Sequence, residues 1–174
     1  MAENKKLSLD AVNAFSRAEF TRVLGPVFEH SPWIAEATWP KKPFAGVVDL
    51  HCALCTTVKV SGAEKQVALI RAHPDLVGRA ALAGTLTPAS NREQASAGLH
   101  QLTADEIVLF QRGNADYQAK FDFPFVICAR LNKKAAILEG LATRLKNSRA
   151  QEIKTALEEI FKIAELRLHD LVTD

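Results

Sequence analysis

SRAQEIKTALEEIFKIAELRLHDL, residues 148–171, carries one uninterrupted helical period. Ile153, Leu157, Ile160, Ala164, Leu168 and Leu171 recur at steps of three and four, the apolar stripe of a helix that packs one face on a core. Ser148 and Gln151 stand at the spacing at which a hydroxyl and an amide or carboxylate satisfy the first backbone donors of a helix reciprocally. The same Ser/Thr-x-x-Glu/Gln opening recurs at Ser16–Glu19, Ser61–Glu64, Ser90–Glu93 and Thr103–Glu106, and Asn132 caps a further helix to about Lys146. Gly25-Pro26 breaks the helix begun at Ser16, and Ser31-Pro32 restarts the chain with a cap and a first-turn proline. Gly46 to Val60 reads as a mostly buried helix despite its β-branched end. Phe121 to Val126 reads as an extended loop, because a single strand has no partner. The expectation is an all-α fold: one compact domain over residues 1–174, six to eight helices, no paired strands, no repeat and no linker.

Composition agrees and removes several function classes. With 48% hydrophobic and 24% charged residues, the 174-residue chain is ordinary for a globular protein and can bury a core without staples. No apolar run approaches the roughly 20 residues of a membrane span, and Met1–Lys6 lacks the apolar middle of a signal peptide. A net charge of +2, evenly spread, is too small for a nucleic-acid surface. Three cysteines, an odd number, argue against a disulfide framework and fit a reducing cytoplasm.

The chemistry-bearing residues follow from how the helices stop and start. Arg71-Ala72-His73-Pro74-Asp75-Leu76 ends one helix, because Pro74 pushes the residue before it out of the α region. His73 therefore sits at a helix exit, as a cap or as an acid/base group that titrates near neutral pH. Leu76 to Ala89, rich in small residues, is an irregular connection that lets backbone approach a ligand. Ser90 and Glu93 are either a helix cap alone or part of an anionic-ligand site at a helix start. Arg167 falls at the edge of the last stripe and leans inward, so it needs a carboxylate partner. That partner is a structural Asp or Glu, or the carboxylate of a substrate held in a bidentate grip. Cys52-Ala53-Leu54-Cys55 has redox spacing, but in an apolar helix it reads as buried packing. No Gly-rich phosphate loop or metal-ligand cluster accompanies these residues.

Three blocks carry a family resemblance: RAHPDLVGRAALAGTLTPASNREQASAGL (71–99), LFQRGNADYQAKFDFPFVICAR (109–130) and RLKNSRAQEIKTALEEIFKIAELRL (144–168). Together, and over nearly the whole chain, they resemble the 2-oxo-4-hydroxy-4-carboxy-5-ureidoimidazoline (OHCU) decarboxylase family of urate breakdown. The resemblance implies an all-helical carboxy-lyase, usually a homodimer, with no metal or organic cofactor, that converts OHCU to S-allantoin. Residue by residue it assigns His73 and Glu93 as catalytic. It assigns Pro74, Ser90, Gln94 and Arg167 as substrate-binding, with the backbone near Phe125 and Val126 against the imidazoline ring. This chain departs from the family pattern at Gly113, where Leu is frequent, and at Asp122, where Gly is frequent.

One rival comes from another class, since His-Pro-Asp also marks co-chaperone J-domains. There the motif follows a strongly basic helix, whereas Gly62–Ala72 holds only Lys65 and Arg71 against Glu64. A second rival is a helical scaffold without activity, which would keep the apolar stripe and show no turnover.

Overall fold

The computed structural model describes residues 6–78, 81 and 83–174. Arg79, Ala80 and Leu82, part of the connection expected between Leu76 and Ala89, lie outside the described residues. Among the described residues there are nine α-helices: α1 Leu9–Ala14, α2 Arg17–Leu24, α3 Trp33–Thr38, α4 Val47–Lys59, α5 Ala63–Arg71, α6 Pro88–Ser96, α7 Ala104–Phe121, α8 Lys134–Arg144 and α9 Arg149–Leu171. The fold is all-α as expected, with two departures. The helix the sequence did not announce is α1, capped by Ser8 without a Glu or Gln three residues on. A two-residue parallel pair, β1 Leu7–Ser8 with β2 Val172–Thr173, stands where no paired strands were expected. No described helix is long and apolar enough to cross a membrane. The chain forms two compact units, one of residues up to Leu69 with Phe161–Asp174 and one of Ile70–Ile160.

In the first unit, Val12, Phe20, Leu24, Ile34, Leu50, Leu54, Val58, Ala164 and Leu168 form the fully buried core. Ser16 and Glu19 make the full reciprocal cap of α2. Gly46, ahead of α4, has no side chain with which to cap it, and Asp174 Oδ1 accepts from the first helical N–H, on Val47, at 2.7 Å. The Asn13 amide holds the Phe44 backbone through both its groups, at 2.9 and 2.8 Å, which lets Phe44 stack on Phe20. Ser61 does not act as a helix start; its hydroxyl donates to the Val58 carbonyl at 2.8 Å, closing the end of α4 instead. Cys55 is buried, and burial pushes its thiol up to about 12, whereas Cys52 is exposed, contrary to the expectation that both are packed inside.

In the second unit the core is aromatic. Tyr117 meets Phe121 at 4.6 Å and the Phe125 ring edge-on at 5.3 Å between centroids, arrangements favoured by the ring quadrupoles. Inside this cluster lies a charge pair. Glu152 is 0% exposed and accepts from Arg144 Nε at 3.0 Å, from Asn147 at 2.7 Å and from the Tyr117 hydroxyl. Burial, with the hydrogen bond to Glu152, pushes the Tyr117 phenol well up, so it stays a donor. Thr103 and Glu106 cap α7 reciprocally, and Ser148 with Gln151 caps α9. Asn132 does not cap α8; its amide donates to the Cys128 carbonyl at 3.0 Å, and Lys133 precedes the helix. Helices α7 and α8 approach so closely at Gly113 that a Cβ there would lie 2.2 Å from Leu141 Cδ2.

Two expected outcomes test this packing. Glu152→Ala, which strands the Arg144 guanidinium, should cost about 3–5 kcal/mol in urea unfolding, a buried charge left without its partner being the reason. In the native protein at mildly alkaline pH, an alkylating reagent should label Cys52 alone, with Cys55 and Cys128 reacting only after denaturation, as counted by mass spectrometry.

Candidate functional site

Arg71 closes α5 by reaching across to the end of α7. Its Nε donates to the Asp122 carbonyl at 2.9 Å, and its outer nitrogen pairs with the Asp122 carboxylate. Asp122 caps α7 in the left-handed region at φ 63°, where Gly is the usual choice and Asp is among the few tolerated alternatives. The family departure at this position is thus accommodated by an ion pair. Two residues on, the His73 N–H donates to the Ile70 carbonyl at 3.1 Å, and the residue is only 7% exposed. His73 does sit at a helix exit, and it is buried rather than a surface cap.

Beyond Pro74 the backbone enters a strained turn. Val77 has φ 55°, a position that costs a β-branched residue on the order of 1–3 kcal/mol. Two buried amides hold it there. Gln94 Oε1 accepts from the Val77 N–H at 3.2 Å, and Asn114 Nδ2 donates to the Leu76 carbonyl at 2.8 Å. Asn114 Oδ1 is buried and receives no hydrogen bond among the described residues. Gly78 follows because a Cβ would lie 2.5 Å from Asp75 Cβ. The segment that carries His73 is therefore fixed on both sides, by Arg71 before it and by Gln94 with Asn114 after it.

Helix α6 supplies the next group. Its start is one turn earlier than Ser90–Glu93 implied: Thr87 is the cap, its hydroxyl accepting from the Ser90 N–H at 3.2 Å, and Pro88 takes the first turn. Ser90 thus lies inside the first turn rather than at the cap. Ser90 and Gln94, four residues apart, are buried on one face of α6, and Glu93 is half-buried beside them. Because Gln94 accepts through its oxygen, its amide nitrogen is the end left to donate to a ligand. Gln94 also lines a cavity of about 210 Å³ together with Val77, Asn91, His100, Leu102 and Ile107.

The extended segment Phe123–Cys128 brings in Phe125 and Val126. Phe125 lies under the Arg144 guanidinium, 4.5 Å from carbon to ring centroid, and the Val126 carbonyl accepts from Arg144 Nη1 at 2.7 Å. The Cys128 thiol is pushed up first by burial and further by the carboxylates of Glu159 and Glu93. His73, Pro74, Ser90, Glu93, Gln94, Phe125 and Val126 all belong to the second unit. Arg167 belongs to the first, where it is 8% exposed and pairs with Glu29 at 2.8 Å. Its inward lean is as expected, and of the two partners the sequence left open, a structural carboxylate is present.

The sequence reading passed over Glu29, Asn114 and the Arg144–Glu152 pair. Asn114 had a signal, since Phe110, Asn114, Tyr117 and Phe121 share the buried face of α7 and an amide in such a stripe needs a purpose. Among the described residues no group of three or more His, Cys, Asp or Glu side chains is gathered as a metal site. The second unit carries an imidazole on the turn after α5 and a hydroxyl, an amide and a carboxylate on α6, the group types that an acid/base site orienting a polar ligand needs.

The comparisons with known proteins come to the same place. The family model described as OHCU decarboxylase matches residues 13–169, and the chain belongs to this family. It is similar to the 2-oxo-4-hydroxy-4-carboxy-5-ureidoimidazoline decarboxylase of Amia calva, 42% identical over 95% of both chains. It is also 36% identical, over 96% of its length, to 33% of the uric acid degradation bifunctional protein PucL of Bacillus subtilis. Among solved structures, a crystal structure of (S)-allantoin synthase matches with a TM-score of 0.76 and 26% identity, over 95% of this chain and 54% of that one.

The Arg167–Glu29 pair separates structure from binding in one experiment. Arg167→Ala should cost about 3–5 kcal/mol in unfolding because it leaves Glu29 charged and buried. The double variant Arg167→Met, Glu29→Leu should recover most of that loss, and its Michaelis constant then reports any part Arg167 takes in capturing substrate.

Proposed function

We propose that this protein decarboxylates OHCU to S-allantoin in urate breakdown, with His73 and Glu93 handling protons. Family membership over residues 13–169 carries the reading, and the fixed, buried His73 beside the Gln94-bearing helix supports it. In the reaction the bond from the ring carbon to the carboxylate breaks, carbon dioxide leaves, and the electron pair stays on the ring. Hydrogen bonds to the imidazoline and ureido oxygens delocalise that charge, and a proton delivered to one face sets the S configuration.

His73, with Glu93, moves the proton at the hydroxyl-bearing carbon or its hydroxyl, a role worth about 100- to 10,000-fold in rate. Its rigid seat serves that role, since a general acid or base must be held within hydrogen-bond reach of one atom. Pro74 shapes the wall beside it. Ser90 donates or accepts at the polar periphery, and Gln94 donates its amide N–H to a carbonyl oxygen. The peptide groups around Phe125 and Val126 face the ring, and Arg167 serves substrate capture without gripping the departing carboxylate, because a permanent grip would stabilise the ground state equally. The protein acts as a homodimer in the cytoplasm.

Purified protein added to freshly generated OHCU should accelerate the appearance of optically active S-allantoin, followed by circular dichroism. His73→Asn should abolish that acceleration while leaving the helical spectrum and the melting temperature in place. Near-normal turnover in this variant would overturn the assignment of His73, and no turnover by the unaltered protein would favour the inactive scaffold.

A further inference from the structure

Two polar side chains take hold of the Phe123–Cys128 segment. Arg144 Nη1 donates to the Val126 carbonyl at 2.7 Å, and Glu159 Oε2 accepts from the Cys128 N–H at 2.8 Å. Cys128 is extended, and in extended backbone residues i and i+2 direct their peptide groups to one edge while the residue between directs its own to the other. Val126 and Cys128 are thus committed to Arg144 and Glu159, and the Ile127 N–H and carbonyl face the opposite edge. The hold is rigid on the Arg144 side. Its guanidinium is fixed by fully buried Glu152, lies 3.3 Å from the Tyr117 hydroxyl and is stacked on Phe125.

A single extended residue presents one donor and one acceptor side by side, the complement of the N–H and carbonyl of a cyclic ureide. We propose that Arg144 and Glu159 are positioning residues, which hold Val126 and Cys128 from one side so that the Ile127 peptide edge meets the planar ureide ring of the substrate. The inference rests on the decarboxylase reading above and adds to it why a buried arginine and a half-buried glutamate on α8 and α9 belong to the site. Neither touches the substrate; each acts through a backbone group. The Val126 carbonyl serves as the handle, and the Ile127 peptide next to it is the part of the backbone near Phe125 and Val126 that faces the ring.

The test compares Glu159→Ala, Glu159→Gln and Glu159→Asp with the unaltered protein, using OHCU as substrate. Glu159→Ala should raise KM about tenfold while kcat stays within about twofold, since a contact made equally in ground and transition states is loosened. Glu159→Gln, whose amide oxygen still accepts the Cys128 N–H, should restore KM. Glu159→Asp keeps the charge and draws the carboxylate back, so it should also raise KM, and it carries the test if the Ala variant does not fold. An unmoved KM in both shortened variants, or a Gln variant as impaired as Ala, would overturn the positioning role. Absence of turnover in the unaltered protein is a separate result, and it overturns the decarboxylase reading itself.

Discussion

The carboxylate of Glu152 is the constraint on which the second unit is arranged. An ion taken fully out of water is tolerated only when its lone pairs are met, and Arg144, Asn147 and Tyr117 all converge on it. Meeting that demand brings three parts of the chain together: α7 through Tyr117, the turn after α8 through Asn147, and α8 itself through Arg144. Hydrophobic contact among Tyr117, Phe121, Phe123 and Phe125 supplies the bulk of the attraction but would accept several arrangements of similar volume. The charge pair accepts far fewer, because guanidinium and carboxylate meet in a fixed geometry. It sets the orientation and then passes it on, since the same guanidinium carries the Val126 carbonyl.

The His73 turn follows the same economy on a smaller scale. A β-branched residue at positive φ is held by one donor and one acceptor from neighbouring helices, and the glycine after it gives the chain room to turn back on Asp75. Gln94 braces the turn through its amide oxygen and also lines the cavity. A side chain used in this way cannot be exchanged for Glu without turning its remaining donor into an acceptor.

Much of this was legible in the sequence, for local reasons. Helix α2 was marked by Ser16 and Glu19, α7 by Thr103 and Glu106, and α9 by Ser148 and Gln151, because a reciprocal cap needs only residues three apart. The same pattern misled at Ser61 and shifted the start of α6, where Thr87-Pro88 outcompeted Ser90; a hydroxyl serves whichever backbone group the neighbouring turn leaves open. His73 at a helix exit came from the restriction Pro74 imposes on the residue before it. The inward lean of Arg167 came from period alone, but its partner, Glu29, is 138 residues away, and no local pattern reaches that far. Asn114 beneath Leu76 and the strand pair at Leu7 and Val172 were hidden for that reason: each is a pairing between distant stretches, visible only once the helices have been laid together. Arg144 and Glu152 stand only eight residues apart, but they lie on two different helices, and the turn between those helices decides that they meet.

Gly113 shows how such a pairing binds the future of two positions. With a Cβ at 113 falling 2.2 Å from Leu141, the residues at 113 and 141 divide one fixed volume between α7 and α8. Growth at 113 is open only if the Leu141 side chain shrinks or turns aside, or α8 moves, so the two positions act as one unit of shape rather than as two independent letters. A large residue at 113 would displace the Leu141 side chain or push α8 outward, together with the Arg144 at its end that holds the Val126 carbonyl.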